Sequence, residues 1–161
     1  MDAPTARNRP PTHPRSPAAP PPARLALRPP SFPPGPVCGA WWPRSDDLEV
    51  ELPGLADAFA DQKSRVTRIA SHRGTWSTAP RTLRLPSHTV QVAWLVSGCD
   101  PHSIRLFSRN LRRWDLLVIP PDTADTSAAR LMTAAADPTN HLTASALMAA
   151  ERGRLPGHDT E

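Results

Sequence analysis

The chain has 161 residues, with 19 Lys and Arg against 15 Asp and Glu, a net charge of +4 and a pI near 10.4. That length suits one domain with a tail, and no stretch approaches the ~18 consecutive apolar residues of a membrane span, so a membrane partner is not expected. The two cysteines, Cys38 and Cys99, lie far apart, and "MDAPTARNRPPTHPRSP" holds no apolar leader, so the expectation is a cytoplasmic protein with free thiols.

The charge is unevenly distributed. Met1 to Pro36 holds five arginines against one acid, while the remainder balances fourteen basic against fourteen acidic side chains. Thirteen of the 22 prolines share that N-terminal stretch. Runs such as "PAAPPPAR" have little apolar surface to offset ordering entropy, so residues 1–23 are expected to form a disordered, proline-rich tail of polyproline II character. Such a tail serves as a ligand for a proline-binding domain, as a spacer, or as a solvated extension with no partner; the last is the simplest reading. A single domain over 24–150 and a frayed tail over 151–161 complete the expected organisation.

Order begins at "RLALR", where Leu25 and Leu27 alternate with polar or small neighbours as in a short edge strand. "VCGAWW" is the next strand, stopped by Pro43, which has no amide proton for a ladder. Ser45 is a suitable N-cap, and Leu48, Leu52, Leu55 and Phe59 form one apolar stripe of a helix from Ser45 to Asp61. Pro53 falls inside that stripe and predicts a kink or a break. The period then switches to two. Strands follow at Arg65 to Ser71, Thr82 to Pro86, "TVQVAWLV", "SIRLFSR" and "WDLLVI", the last apolar enough to be central. The short links "SGCDPH" and "RNLRR" suggest neighbours in an antiparallel meander. "PPDTADTS" caps a helix to about Ala136, and Thr143 caps a final one through "ASALMAA". The fold class is therefore α+β: an antiparallel sheet of six or seven strands with helices packed on one face.

The motifs "GAWWPRS", "ELPGL", "HTVQVAWL", "RWDLLVIPP", "AARLMTAAADP" and "LTASALMAAE", taken together, resemble a small actinobacterial family of unknown function. The resemblance spans Leu25 to Glu151 and implies no activity, cofactor or catalytic residue. Where that family usually has a glycine before "RWDLL", this chain reads "NLRR", which assigns the positive-φ position to Asn110.

Trp41 and Trp42 point to opposite faces if both lie on a strand. One then enters the core, and the other either offers a stacking surface or packs beneath the N-terminal connection; the bulk-filling role is the commoner one for indoles. Trp42, next to the Pro43 turn, is the expected buried member. His88, Cys99, Asp100 and His102 form a weak polar cluster. "CxxH" has two metal-ligand types, but no second pair stands at a fitting spacing, and Asp100-Pro101 is a common turn opener, so no metal site is assigned. There is no nucleophile elbow and no glycine-rich phosphate loop, so no catalytic residue or cofactor is assigned either. Asp115, among apolar neighbours, is read as a buried carboxylate or as the partner of a cross-strand arginine.

Charge segregation is the most informative signal. Lys63 to Arg113 carries ten basic residues and one acid, while Arg44 to Asp61 carries six acids and one base. If Arg68, Arg84, Arg105 and Arg109 share an open sheet face, they form a positive platform. The first reading is a small intracellular non-catalytic binding or regulatory module whose partner the sequence does not name, a protein being one candidate. The second is single-stranded nucleic-acid binding by the basic face. The third is a metal-dependent or other enzyme built on His88, Cys99, Asp100 and His102.

Overall fold

The computed structural model describes residues 22–29, 35–60, 65–85, 88–95, 100–109 and 112–154. The tail at 1–21, Cys99, the Asn110 hairpin position and residues 155–161 lie outside these. The described residues form β1 (Leu25–Leu27), β2 (Gly39–Trp41), α1 (Leu48–Ala60), β3 (Val66–His72), β4 (Thr82–Arg84), β5 (Thr89–Leu95), β6 (Ser103–Ser108), β7 (Arg113–Val118), α2 (Asp125–Ala135) and α3 (Ala144–Arg154). A 3-10 turn at Arg73–Thr75 follows β3. None of the helices is long and apolar enough to cross a membrane.

The architecture is α+β, but the sheet is mixed rather than antiparallel. Its order is β1-β2-β7-β6-β3-β5-β4. β2 pairs with β7, and β3 with β5, in parallel; the other four pairings are antiparallel. The meander expectation holds for β6 and β7, which form a hairpin. It fails for "SGCDPH", because β3 lies between the two strands that this link joins. β7 inserts between β2 and β6, with Gly39 opposite Leu116 and Trp41 opposite Val118.

The expectation of helices on one face is also corrected. On one side, Leu48, Leu52, Leu55 and Phe59 of α1 pack against Trp41, Ile69, Ile104, Leu106, Trp114, Leu116 and Val118. On the other, Ala128, Leu131 and Ala135 of α2 and Ala144 and Leu147 of α3 pack against Ala40, Leu117 and Ile119. Alternate residues of β7 thus enter different cores, and Leu116 and Leu117 are both fully buried. A continuous apolar run with both faces covered is the signature of an interior strand. The second layer spans only the β1-β2-β7 end, since α2 contacts β1 and β2 while α3 reaches β7.

Local chemistry explains the helix limits. α1 starts at Leu48 because Asp47, rather than Ser45, accepts the Glu49 amide at 3.0 Å. Ser45 instead donates to Glu51 at 2.8 Å, bracing the preceding turn. α1 runs unbroken through Pro53. Thr143 caps α3 as expected, accepting the Ala146 amide at 3.1 Å. α3 continues beyond residue 150, with Glu151 buried against α2 by Arg130 at 2.6 Å. Arg28 at the end of β1 is buried and donates to the carbonyls of Asp137 and Asn140 at 3.3 and 3.2 Å, tying the edge strand to the α2–α3 connection. Gly39 is required by close approach: a Cβ there would overlap the Ala26 carbonyl oxygen and stand 2.9 Å from Leu27 Cα.

Trp41 is the buried indole, its ring tilted by 34° against Trp76 with centroids 5.5 Å apart beneath α1. Trp42, expected to be the deeper, is half-buried on the other side. Trp41→Ala is therefore expected to cost about 3–5 kcal/mol in urea unfolding. Trp42→Ala is expected to cost less than half as much, and equal losses would contradict the assignment.

Candidate functional site

Cross-strand register places the predicted arginines. Arg68 faces Gln91 on one side and Phe107 on the other, and Phe107 in turn faces Arg113. Ala70 faces Arg105, which faces Asp115, and Arg84 faces Thr89. These residues alternate with those buried under α1, so they share the opposite face, in the half of the sheet that α2 and α3 leave uncovered. Arg68, Arg84 and Arg105 thus lie on one sheet face, with Arg84 on the edge strand two strands from Arg68. Arg109, just beyond β6, joins Arg68 in lining a shallow depression of about 530 Å³ with Thr67, Thr89, Gln91 and Phe107.

The charge on this face is only partly neutralised. Asp115 accepts from Arg105 Nε at 2.7 Å and lies 3.3 Å from Arg113 Nε, so one carboxylate serves two guanidinium groups. Arg68 sits over the Phe107 ring at 5.8 Å. Arg68, Arg84 and Arg109 have no ion-pair partner among the described residues and are exposed. Exposed pairs contribute little to stability, so the arrangement matters for recognition more than for folding.

The tryptophan pair offers no open stacking surface. Trp42 donates its indole N–H to the Pro120 carbonyl at 3.1 Å. Its ring is covered by the Arg24 guanidinium at 3.7 Å, which is itself fixed by the carbonyls of Trp42 and Pro43. Burial is the main influence on Arg24, lowering its pKa together with repulsion from Arg44.

The polar cluster is divided. His88 contacts the Val66 carbonyl at 2.6 Å, at the start of β3. Asp100 and His102 stand at the start of β6, which pairs with the other end of β3, roughly 20 Å along a seven-residue strand. Asp100 accepts the Ser145 amide at 2.8 Å, the Ser145 hydroxyl at 2.6 Å and the His102 amide at 2.8 Å. It clamps the first turn of α3 to the sheet. Burial raises its pKa, but the bonds from Ser145 and His102 outweigh this, and the carboxyl lies below its ordinary range. Cys38 is a free thiol whose pKa burial pushes up, which makes it a poor nucleophile. No group of three or more His, Cys, Asp or Glu side chains suited to a metal ion occurs among the described residues.

A cleft that the sequence reading did not anticipate lies elsewhere. β2, β7, β3 and β5 all run in the same direction. A cleft of about 320 Å³ opens at the carboxyl ends of the first three, lined by Pro43, Asp46, His72, Thr75, Trp76, Pro101, His102, Val118, Pro120 and Pro121. Carboxyl ends of co-directional strands are where open sheets commonly receive ligands. His72 Nδ1 accepts the Gly74 amide at 3.2 Å, so the neutral ring carries its proton on Nε2. Thr75 donates to the Pro101 carbonyl at 3.0 Å, and Trp76 donates its indole N–H to Ser71 at 3.0 Å. Only the β3–β6 pairing unites His72 with His102, so spacing along the chain held no sign of the cleft.

The profile of a family of unknown function (DUF5994) matches residues 24–135, and the chain belongs to that family. The match takes in the whole sheet, α1 and α2, and stops before α3. No curated protein and no solved structure matches the chain.

Two carboxylates anchor α3, and both are held below their ordinary range: Asp100 as above, and Glu151 chiefly by the bond from Arg130. A depressed folded pKa contributes stability that is present above the unfolded value and lost as pH falls through the folded one. Urea midpoints are therefore expected to hold steady down to about pH 5 and then fall through the carboxylate range. The combined change Asp100→Asn and Glu151→Gln should lower the neutral-pH midpoint and flatten that fall. An unaltered acid limb in the double variant would contradict the anchoring role.

Proposed function

We propose that this protein is a small intracellular non-catalytic binding module that presents the uncovered half of its sheet to an acidic segment of a protein partner. The supporting observation is the shared face of Arg68, Arg84, Arg105 and Arg113, with Asp115 as its one carboxylate among the described residues. Complementary charge steers encounter and sets specificity on such a surface. The distance between His88 and the Asp100–His102 turn favours a non-catalytic role over an enzyme built on that cluster.

Single-stranded nucleic acid is the second reading. It draws on the Arg68–Phe107 pair, since one aromatic ring beside cationic side chains can hold a base. It ranks lower because Trp42, the other candidate platform, is covered by Arg24.

Fluorescence anisotropy with a labelled Asp/Glu-rich peptide and a labelled oligouridine of equal length separates the two. The expected result is peptide binding that weakens with added salt and falls about tenfold in Arg68→Ala/Arg84→Ala, as removal of two cationic partners implies. Tighter binding of the oligouridine, with the same loss in the variant, would favour the second reading. Binding of neither probe at low salt would overturn both.

A further inference from the structure

We propose that the cleft at the carboxyl ends of β2, β3 and β7 is a binding site for a small planar aromatic molecule bearing an amino group. This goes beyond the sheet-face reading, because the two surfaces share no residue.

The cleft is preformed. Its walls come from segments following β2, β3 and β7 and preceding β6, and each is pinned by hydrogen bonds that leave other groups free. The Asp46 carbonyl accepts from both the amide and the hydroxyl of Ser77, at 2.8 and 3.1 Å. The His102 carbonyl accepts the Val118 amide at 2.8 Å, joining the β6 turn to the end of β7. Thr75 holds Pro101, and Trp42 holds Pro120. A volume of about 320 Å³ sits at the small end of ligand sites, which span roughly 300–1,000 Å³.

The lining selects the ligand. Four proline rings supply apolar lining, and Val118 and the Trp76 indole, both largely buried, complete its floor. The indole N–H is already committed to Ser71, so Trp76 offers only its ring. His72 turns a donor, Nε2–H, to whatever approaches, because its Nδ1 is used by Gly74. The His102 ring makes no hydrogen bond among the described residues, and neither does the Asp46 carboxylate, which is exposed at the mouth. Among the described residues, neither Arg nor Lys lines the cleft. A phosphate or carboxylate would meet Asp46 with no fixed cation to offset it. An amino group would pair with that carboxylate while an aromatic body lay between Trp76 and the prolines.

Tryptamine and indole-3-acetate, which share the ring and differ in the charged end, test this by amide-detected NMR titration of the full chain. Tryptamine is expected to shift Gly74, Thr75 and His102 and to leave Arg68 and Gln91 unmoved. Indole-3-acetate should bind about tenfold more weakly, the scale of one charge-assisted hydrogen bond. Asp46→Asn should keep the thermal midpoint and abolish the preference for the amine. The proposal is overturned if millimolar tryptamine moves none of the cleft amides, if the acid binds as well as the amine, or if the preference survives in Asp46→Asn. None of these results bears on the sheet face, which Arg68→Ala/Arg84→Ala tests separately.

Discussion

The structure depends on where β7 lies. Strand Arg113–Val118 runs beside β2 in parallel and beside β6 in antiparallel, joining chain segments more than seventy residues apart. Its ends are locked from both sides: the Asp115 carbonyl accepts the Cys38 amide at 2.7 Å, and the Val118 and Ile119 amides reach His102 and Trp41. Because Leu116 and Leu117 point into different cores, this one strand binds α1 to the sheet on one side and the α2–α3 pair on the other. Burying two such side chains favours folding by a few kcal/mol, and removing either would leave a cavity facing a different layer.

The functional surfaces follow from the same placement. The α2–α3 pair covers only the end of the sheet near β7, held there by Arg28, Asp100 and the Arg130–Glu151 ion pair. The rest of that face, across β6, β3, β5 and β4, carries arginines, polar residues and the Phe107 ring. Asp115 stands at the boundary and neutralises part of the charge nearest the helices. The cleft arises at the carboxyl ends because β2, β3 and β7 run together while β6 returns between the last two, bringing His102 beside His72.

Much of the local structure was legible in the chain. The Leu48, Leu52, Leu55 and Phe59 stripe marked α1, and the alternation in "SIRLFSR" put Ile104 and Leu106 inward and Arg105 and Phe107 outward. Alternation reveals which residues share a face but says nothing of which strand is the neighbour. The parallel pairings of β2 with β7 and of β3 with β5 were therefore hidden, although the apolar run "LLVI" did signal an interior strand. The tryptophan pair shows the consequence. The sequence left the second indole either open for stacking or packed beneath the N-terminal connection; Arg24 and the α2–α3 layer cover it. His72 and His102 escaped notice because they meet only through the β3–β6 register.

Native-state hydrogen exchange tests the central role of β7 most directly. The amides of Leu116, Leu117 and Val118 should be among the slowest in the chain and should exchange only through global unfolding, with the same denaturant dependence as the whole domain. Amides in the edge strands β1 and β4 should open locally at lower free energy. Exchange of the β7 amides at the rate of β4, while those of β3 and β6 stay protected, would contradict the account.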